Sequence, residues 1–78
     1  MDEATSYTLA RLDGYRKFKK ISLENLAKKW GKTYSYIYRR LSGKVELTHK
    51  DMLDLIRCLE IPLDEATDIF FGYELRNT

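Results

Sequence analysis

Apolar residues recur at intervals of three and four along most of this 78-residue chain, and polar residues fill the positions between them. This spacing is typical of amphipathic helices. The clearest example begins after Ser22, a favourable N-cap, and ends at Gly31, a favourable C-cap. Its predicted inward face holds four residues with the spacing i, i+3, i+4 and i+7, namely Leu23, Leu26, Ala27 and Trp30.

The same spacing, together with capping residues, predicts four more helices and an all-α fold. They cover residues 7–19, capped by Thr5 or Ser6; Thr33 to Ser42, closed by Gly43; Thr48 to about Leu59; and Leu63 to Phe71. Residues after Phe71 either continue the last helix or run extended. The expected inward positions are Leu9, Leu12 and Tyr15, then Ile37 and Leu41, then Met52, Leu55, Ile56 and Leu59, and finally Ala66, Ile69 and Phe70. We therefore expect one domain over residues 1–78, a compact bundle of about five short helices with its core in residues 7–71 and a tail over 72–78.

The link between the second and third predicted helices is very short. Only two residues after Gly31, Thr33 is placed to cap the next helix. Such a link between short helices predicts a sharp helix-turn-helix corner rather than a long antiparallel hairpin. The third helix has a narrow apolar stripe of Ile37 and Leu41, so we expect its other sides to form a presenting surface. Opposite the stripe lie Ser35, Tyr38, Arg39 and Ser42, with Tyr34 and Tyr36 on the flanks.

Charge is distributed unevenly along the chain, although the formal net charge is only +2 at pH 7. Residues 1–50 carry 12 Lys and Arg against 5 Asp and Glu, whereas residues 51–78 carry 2 against 7. Within residues 11–44 the excess is +9, because 11 basic residues face only Asp13 and Glu24. This asymmetry favours a polyanionic partner for the first half of the chain. A solvated, lysine-rich helix face is the alternative interpretation of the same charges.

The composition argues against an enzyme. One cysteine, Cys58, and one histidine, His49, exclude a disulfide framework and a self-contained zinc site. The carboxylates lack a His or Cys partner, and the lysines follow no phosphate-binding glycine pattern. We therefore expect no catalytic residue, cofactor, metal or small-molecule substrate. No window approaches the roughly 18 apolar residues of a membrane span, and no signal peptide is recognisable, so we expect no membrane partner and a cytoplasmic location.

Residues 21–44 contain a spaced set of features that matches a known pattern. The set consists of a helix capped at Ser22, the pair Leu26-Ala27, Gly31 at a turn, a second cap at Thr33, Ile37 in the following helix and the closing pair Gly43-Lys44. It resembles the Cro/CI-type, lambda repressor-like helix-turn-helix of phage regulators, and the likeness extends over residues 7–71. The resemblance implies a transcriptional repressor that binds double-stranded operator DNA, as a dimer, in the cytoplasm of a bacterial host cell and in association with its nucleoid.

The resemblance also implies roles for individual residues. It makes Tyr34, Ser35 and Arg39 readers of base edges, with Arg39 bonded to O6 and N7 of guanine. The outward face of the same helix adds Tyr38 to these readers. The expected phosphate contacts are Ser22, Thr33, Lys44 and Arg16 by resemblance, and Lys32 and Arg40 by their positions.

Three departures from the family's pattern support a second hypothesis. Leu23 stands where the family has a glutamine, Leu41 stands where an acid often pairs with the arginine of the first helix, and tyrosines occupy positions 34, 36 and 38. Tyrosine is enriched at protein interfaces. The alternative is therefore a protein-binding modulator or antirepressor, which would bind a phage repressor and control the lysis–lysogeny switch. Its expected interface holds Leu23 and Tyr36. Near the end of the chain, Phe70, Phe71 and Tyr73 form a cluster that is a self-association patch of a homodimer, a strand-like tail such as some Cro-type proteins use, or only the cap of the core.

Overall fold

Residues 2–77, the part of the chain that the structure describes, form five helices and no strand in this computed structural model. The helices are α1 (Glu3–Phe18), α2 (Leu23–Trp30), α3 (Tyr34–Leu41), α4 (His49–Leu59) and α5 (Leu63–Arg76). The Cα radius of gyration is 11.9 Å, as expected for a compact bundle of this length. The predicted all-α class and the number of helices are therefore confirmed within these residues.

The three middle helices begin where the sequence predicts. The hydroxyl oxygens of Ser22, Thr33 and Thr48 each accept a hydrogen bond from the backbone N–H three residues further on. Each bond satisfies an N–H that the first turn of a helix cannot pair internally. Gly31 ends α2 with a φ of 74°, and Gly43 follows α3 with a φ of 85°, a conformation that costs glycine little.

The first and last helices are longer than predicted. α1 begins at Glu3, because the carboxylate of Asp2 caps it by accepting from the Thr5 N–H at 2.7 Å; the expected caps Thr5 and Ser6 lie inside the helix. α5 continues past Phe71 to Arg76, so residues 72–76 of the expected tail are helical. Position 78 of that tail lies outside the described residues.

The two long helices run antiparallel, and their contacts explain the length of α5. At one end the ring of Tyr73 lies 5.9 Å from that of Tyr7. Further along α1, the Thr8 hydroxyl donates to the Ile69 carbonyl at 2.9 Å, and Arg11 forms an ion pair with Asp68. These tertiary contacts stabilise the last turns of α5 beyond what helix propensity supplies.

The core is formed mostly by the inward positions that the spacing predicts, with Cys58 and Ile61 in addition. Its buried residues are Leu9, Leu12, Leu26, Ala27, Trp30, Ile37, Leu55, Cys58, Leu59, Ile61, Ala66, Ile69 and Phe70. Tyr15, Leu23, Leu41, Met52 and Ile56 are partly buried against them. Burial also raises the pKa of the Cys58 thiol, which fits a packing role for this cysteine rather than a reactive one.

Helix α4 contributes two buried carboxylates that bind the preceding helices. The carboxylate of Asp54 accepts a hydrogen bond from the Trp30 indole N–H at 2.9 Å and so connects α4 to α2. Lys50 and Arg57, both on α4, approach its second oxygen at 2.5 and 3.3 Å. The hydrogen bonds from Lys50 and Trp30 lower the pKa of Asp54 to about 2.

The carboxylate of Asp51, which is 1% exposed, connects α4 to α3. It accepts from the Tyr36 hydroxyl at 2.5 Å and from Nε of Arg40 at 3.0 Å, and it also accepts from the Thr48 N–H to complete a capping box. The Arg40 guanidinium stacks on the Tyr36 ring, 3.5 Å from its centroid. Burial acts to raise the pKa of Asp51, but the hydrogen bonds from Thr48, Tyr36 and Arg40 outweigh it and hold the pKa below its ordinary value.

We expect Asp51→Ala to lower the free energy of unfolding by about 2–4 kcal/mol, because it leaves a poorly exposed guanidinium and a hydroxyl without their acceptor. Urea denaturation followed by far-ultraviolet circular dichroism measures this. Glu46→Ala, at an exposed acid in the loop after α3, is the control and should change stability by less than about 0.5 kcal/mol. Equal stabilities of the two variants would contradict a role for Asp51 in holding α3.

Acid should destabilise the fold in part through Asp54. Its pKa is about 2 in the folded protein, against about 3.9 in an unfolded chain. The stabilisation is therefore fully present above pH about 4 and is lost as the pH falls towards 2. Thermal melts of the wild type and of Asp54→Asn between these pH values test this. We expect a smaller loss of Tm in the variant, and parallel pH profiles would refute the contribution of Asp54.

Candidate nucleic-acid interface

Helix α3 presents four exposed side chains on the side that faces away from the core. Its inward residue, Ile37, is fully buried, and Leu41 is partly buried against the core. Because successive residues of a helix are about 100° apart, the positions opposite Ile37 point to solvent. Three of the predicted base readers, Ser35, Tyr38 and Arg39, lie on this outward side, and the fourth, Tyr34, lies on its flank; all four are exposed. We call these four residues, with the adjacent Lys44, the helix 3 surface.

Two tyrosines form an aromatic pair on this surface. The rings of Tyr34 and Tyr38 are stacked, with centroids 6.4 Å apart and planes inclined by 12°. The spacing of four residues places them one above the other on the helix. They are 46% and 45% exposed, so both rings are accessible to a ligand. The ammonium group of Lys44 lies 5.4 Å from the Tyr38 ring, so a cation borders the pair.

The side chain of Arg39, a cation of this surface, is not held by another residue among residues 2–77. Within residues 2–77 its guanidinium forms no hydrogen bond and no ion pair, although its backbone carbonyl accepts from the Val45 N–H at 3.1 Å. A guanidinium carries five N–H donors in a planar fork. All of them are therefore available to a ligand. Ser35 lies one turn earlier on the same side and adds a hydroxyl.

The neighbouring Arg40 and Tyr36 are placed differently. Arg40, predicted to contact phosphate, is bound to Asp51 and its side chain is 15% exposed. Tyr36, predicted to contact a protein partner, directs its hydroxyl to the same carboxylate and packs edge-on against Trp30 at 5.6 Å. The structure thus places both residues in the contact between α3 and α4, where they orient the helix 3 surface rather than form part of it.

Arg16, another predicted phosphate contact, is used inside the domain. Its guanidinium donates to the Ile21 carbonyl and to Asp13, both at 2.7 Å, and the side chain is 13% exposed. Asp13 lies one turn earlier on α1, so the arginine pairs with an acid of its own helix and not of a neighbouring one. Arg16 therefore fixes the link between α1 and α2, and the structure does not place it with the helix 3 surface.

The other predicted phosphate contacts lie at helix ends. Ser22 and Thr33 cap α2 and α3, and each retains a hydroxyl proton that can be donated. Lys32 precedes α3, with its ammonium 5.0 Å from the Tyr36 ring, and Lys44 follows the end of the helix. The two exposed lysines thus flank an eight-residue helix, which spans about 12 Å.

The predicted protein-contact residues do not form one patch. Leu23 is partly buried against the core, and Phe70 is buried within it. Tyr73 is half-buried, because its ring packs on Tyr7 and its hydroxyl donates to Glu3. Phe71 is 51% exposed on α5. Of the expected patch at the end of the chain, the structure therefore leaves mainly Phe71 available.

Sequence reasoning missed the two carboxylates of α4 that hold the site. For Asp51 a signal exists, because Thr48 and Asp51 have the spacing of a capping box. That pattern marks the start of a helix, but it does not reveal the bonds to α3. For Asp54 the sequence offers no such signal, since its partner Trp30 lies 24 positions away.

Among residues 2–77, no group of three or more His, Cys, Asp or Glu side chains is arranged to hold a metal ion. None of the helices in this part of the chain has both the length and the apolar character needed to cross a membrane.

Comparison with known proteins does not assign a family to the chain. No protein-family model matches it, and neither does any curated protein or any solved structure. The resemblance of residues 21–44 to Cro/CI-type regulators therefore rests on the residue pattern alone.

Proposed function

We propose that this protein is a phage-type transcriptional regulator that binds operator DNA through a Cro/CI-like helix-turn-helix formed by α2 and α3. One observation carries the proposal: Arg39, whose guanidinium has no hydrogen-bond or ion-pair partner among residues 2–77, stands beside the exposed Tyr34–Tyr38 pair on α3. Side chains of this kind, held on a short helix and not used by the fold, suit the reading of base edges.

The dimensions and charge of the region support this proposal. A helix, which is about 10–12 Å across with its side chains, fits a major groove about 12 Å wide, and α3 is eight residues long. Of the 11 basic residues between positions 11 and 44, those without an ion pair in the described part of the chain are Lys19, Lys20, Lys28, Lys29, Lys32, Arg39 and Lys44. Of these, Lys32, Arg39 and Lys44 lie on or beside α3, and they can displace counterions from a polyanion there without first breaking an internal ion pair.

Each exposed group has a role in this proposal. Arg39 donates two hydrogen bonds to O6 and N7 of guanine, and Ser35 bonds to a neighbouring base edge. The rings of Tyr34 and Tyr38 contact the methyl group of thymine. The phosphate contacts lie at the helix ends and the cations beside them, at Ser22, Lys32, Thr33 and Lys44. Arg40 acts indirectly in this arrangement, by holding α3 to Asp51.

A second candidate function is favoured by the tyrosine pair. Stacked rings that are nearly half exposed offer contact area at low entropic cost, as protein interfaces do. On this hypothesis the chain is a modulator that binds a phage repressor. Tyr34 and Tyr38 would contact the repressor, because Tyr36 is committed to Asp51.

Selection from a random duplex DNA library, followed by binding measured by fluorescence anisotropy, separates these functions. We expect enrichment of a common sequence that binds more tightly than random duplex. Failure to enrich any sequence would contradict operator binding. If the chain instead abolishes the DNA complex of a co-encoded repressor without binding DNA itself, the modulator function is supported.

Replacing Arg39 tests the base-reading role. We expect Arg39→Ala to weaken binding to the selected sequence by about 1–3 kcal/mol and to relax the preference at one position. Arg39→Lys is an informative second variant, because it keeps the positive charge but loses the planar guanidinium. It should retain binding to random duplex while losing the same sequence preference. Unchanged affinity and preference in both variants would exclude Arg39 as a base reader.

Replacing Lys44 tests the phosphate role. We expect Lys44→Ala to weaken binding to all duplexes alike and to reduce the slope of log K against log salt by about one. Lys28→Ala is the matched control, since Lys28 is an exposed lysine on the side of α2 away from the core. Its salt slope should equal that of the wild type, and a drop of the same size in both variants would show that net charge alone is responsible.

A further inference from the structure

A second exposed region lies at the end of the bundle where α1 finishes and α5 begins. Because the two helices are antiparallel, Phe18, the last residue of α1, and Leu63, the first residue of α5, lie at the same end. They are 79% and 81% exposed, the highest values for large apolar side chains in residues 2–77. Exposed apolar side chains that share one region commonly mark an interaction site.

A shallow groove of about 360 Å³ lies between α1 and the start of α5, and Phe18 is part of its wall. It is lined by Ala10, Arg11, Gly14, Tyr15, Phe18 and Glu65. Space is open at Gly14, since a Cβ built there would meet nothing within 4 Å. With Ala10 one turn earlier, the α1 side of the groove has two small residues that leave room for an incoming ring. Phe18 forms the edge of the groove, where its ring lies 6.4 Å from that of Tyr15 and is largely exposed to solvent.

Charges of both signs lie beside the groove. Lys19 and Lys20 follow α1, whereas Asp64 and Glu65 lie in the first turn of α5. All four are exposed, and none forms an ion pair with another of the residues 2–77. A partner of a single charge sign would meet like charge on one half of this region. A partner with the same two patches, in the opposite order, would meet opposite charge on both.

We propose that this end of the bundle is the contact surface for a second copy of the same chain. In an isologous dimer the projecting Phe18 of each copy enters the groove of the other. The same two-fold axis brings Lys19 and Lys20 of one copy to Asp64 and Glu65 of its partner. No residue of the helix 3 surface lines the groove, so that surface remains accessible in both copies. The proposal goes beyond DNA binding, and its test requires no DNA.

Sedimentation equilibrium of the full chain over a range of concentrations tests this dimer. We expect a reversible monomer–dimer equilibrium for the wild type and a dissociation constant raised at least about tenfold in Phe18→Ser. Phe71→Ser is the matched control, because it removes an exposed phenylalanine from α5 outside the groove. It should dimerise like the wild type. A wild type that stays monomeric, or a dimer lost in Phe71→Ser and kept in Phe18→Ser, would overturn the proposal.

Charge reversal provides a second, independent measurement. The variant Lys19→Glu/Lys20→Glu makes both patches acidic, and Asp64→Lys/Glu65→Lys makes both basic. We expect each variant alone to be monomeric, because like charges face each other in the dimer, and an equimolar mixture to form a heterodimer. Far-ultraviolet circular dichroism confirms that each variant is folded. Wild-type dimerisation of either variant alone, or a folded mixture that stays monomeric, would contradict the proposed contact.

Discussion

The carboxylate of Asp51 receives hydrogen bonds from two side chains of α3, the hydroxyl of Tyr36 and the guanidinium of Arg40. α3 is only eight residues long and has one fully buried apolar side chain, Ile37. A helix so short gains little stability by itself, and one apolar anchor restrains its position without defining its rotation. The bonds to Asp51 supply the missing restraint. The direction in which the helix 3 surface points therefore depends on a charge buried in another helix.

Helix α4, which carries Asp51, also holds α2 in place. The Trp30 indole donates to Asp54, three residues after Asp51, so that α2 and α3 are both positioned against adjacent turns of α4. Buried acids of this kind require partners, since an unpaired buried charge is costly. Their contribution lies as much in defining one arrangement as in stabilising it. The angle between α2 and α3, on which the proposed function depends, is thus set by α4 together with direct contacts such as that of Trp30 with Tyr36.

Local physical chemistry made much of the fold predictable, whereas the tertiary partners of individual side chains could not be predicted from the sequence. The caps at Ser22 and Thr33 are recognisable because they act within three residues, and the inward positions follow from helical spacing. The full length of α5 depends on contacts such as that between Tyr73 and α1, which no local pattern encodes. The clearest example is the pair Arg39 and Arg40. They are adjacent and chemically identical, yet one faces solvent and the other binds a buried carboxylate.

Trp30 is the only tryptophan of the chain, and it lies where three helices meet. Its indole N–H bonds to α4, its ring is edge-on to Tyr36 of α3, and it is itself the last residue of α2. The side chain is 6% exposed, so a ligand on the outward side of α3 does not reach it. Its fluorescence is therefore a built-in probe of how the helices are arranged. A change in emission when a ligand binds would report movement of the supporting helices, and an unchanged emission would show that the surface is preorganised.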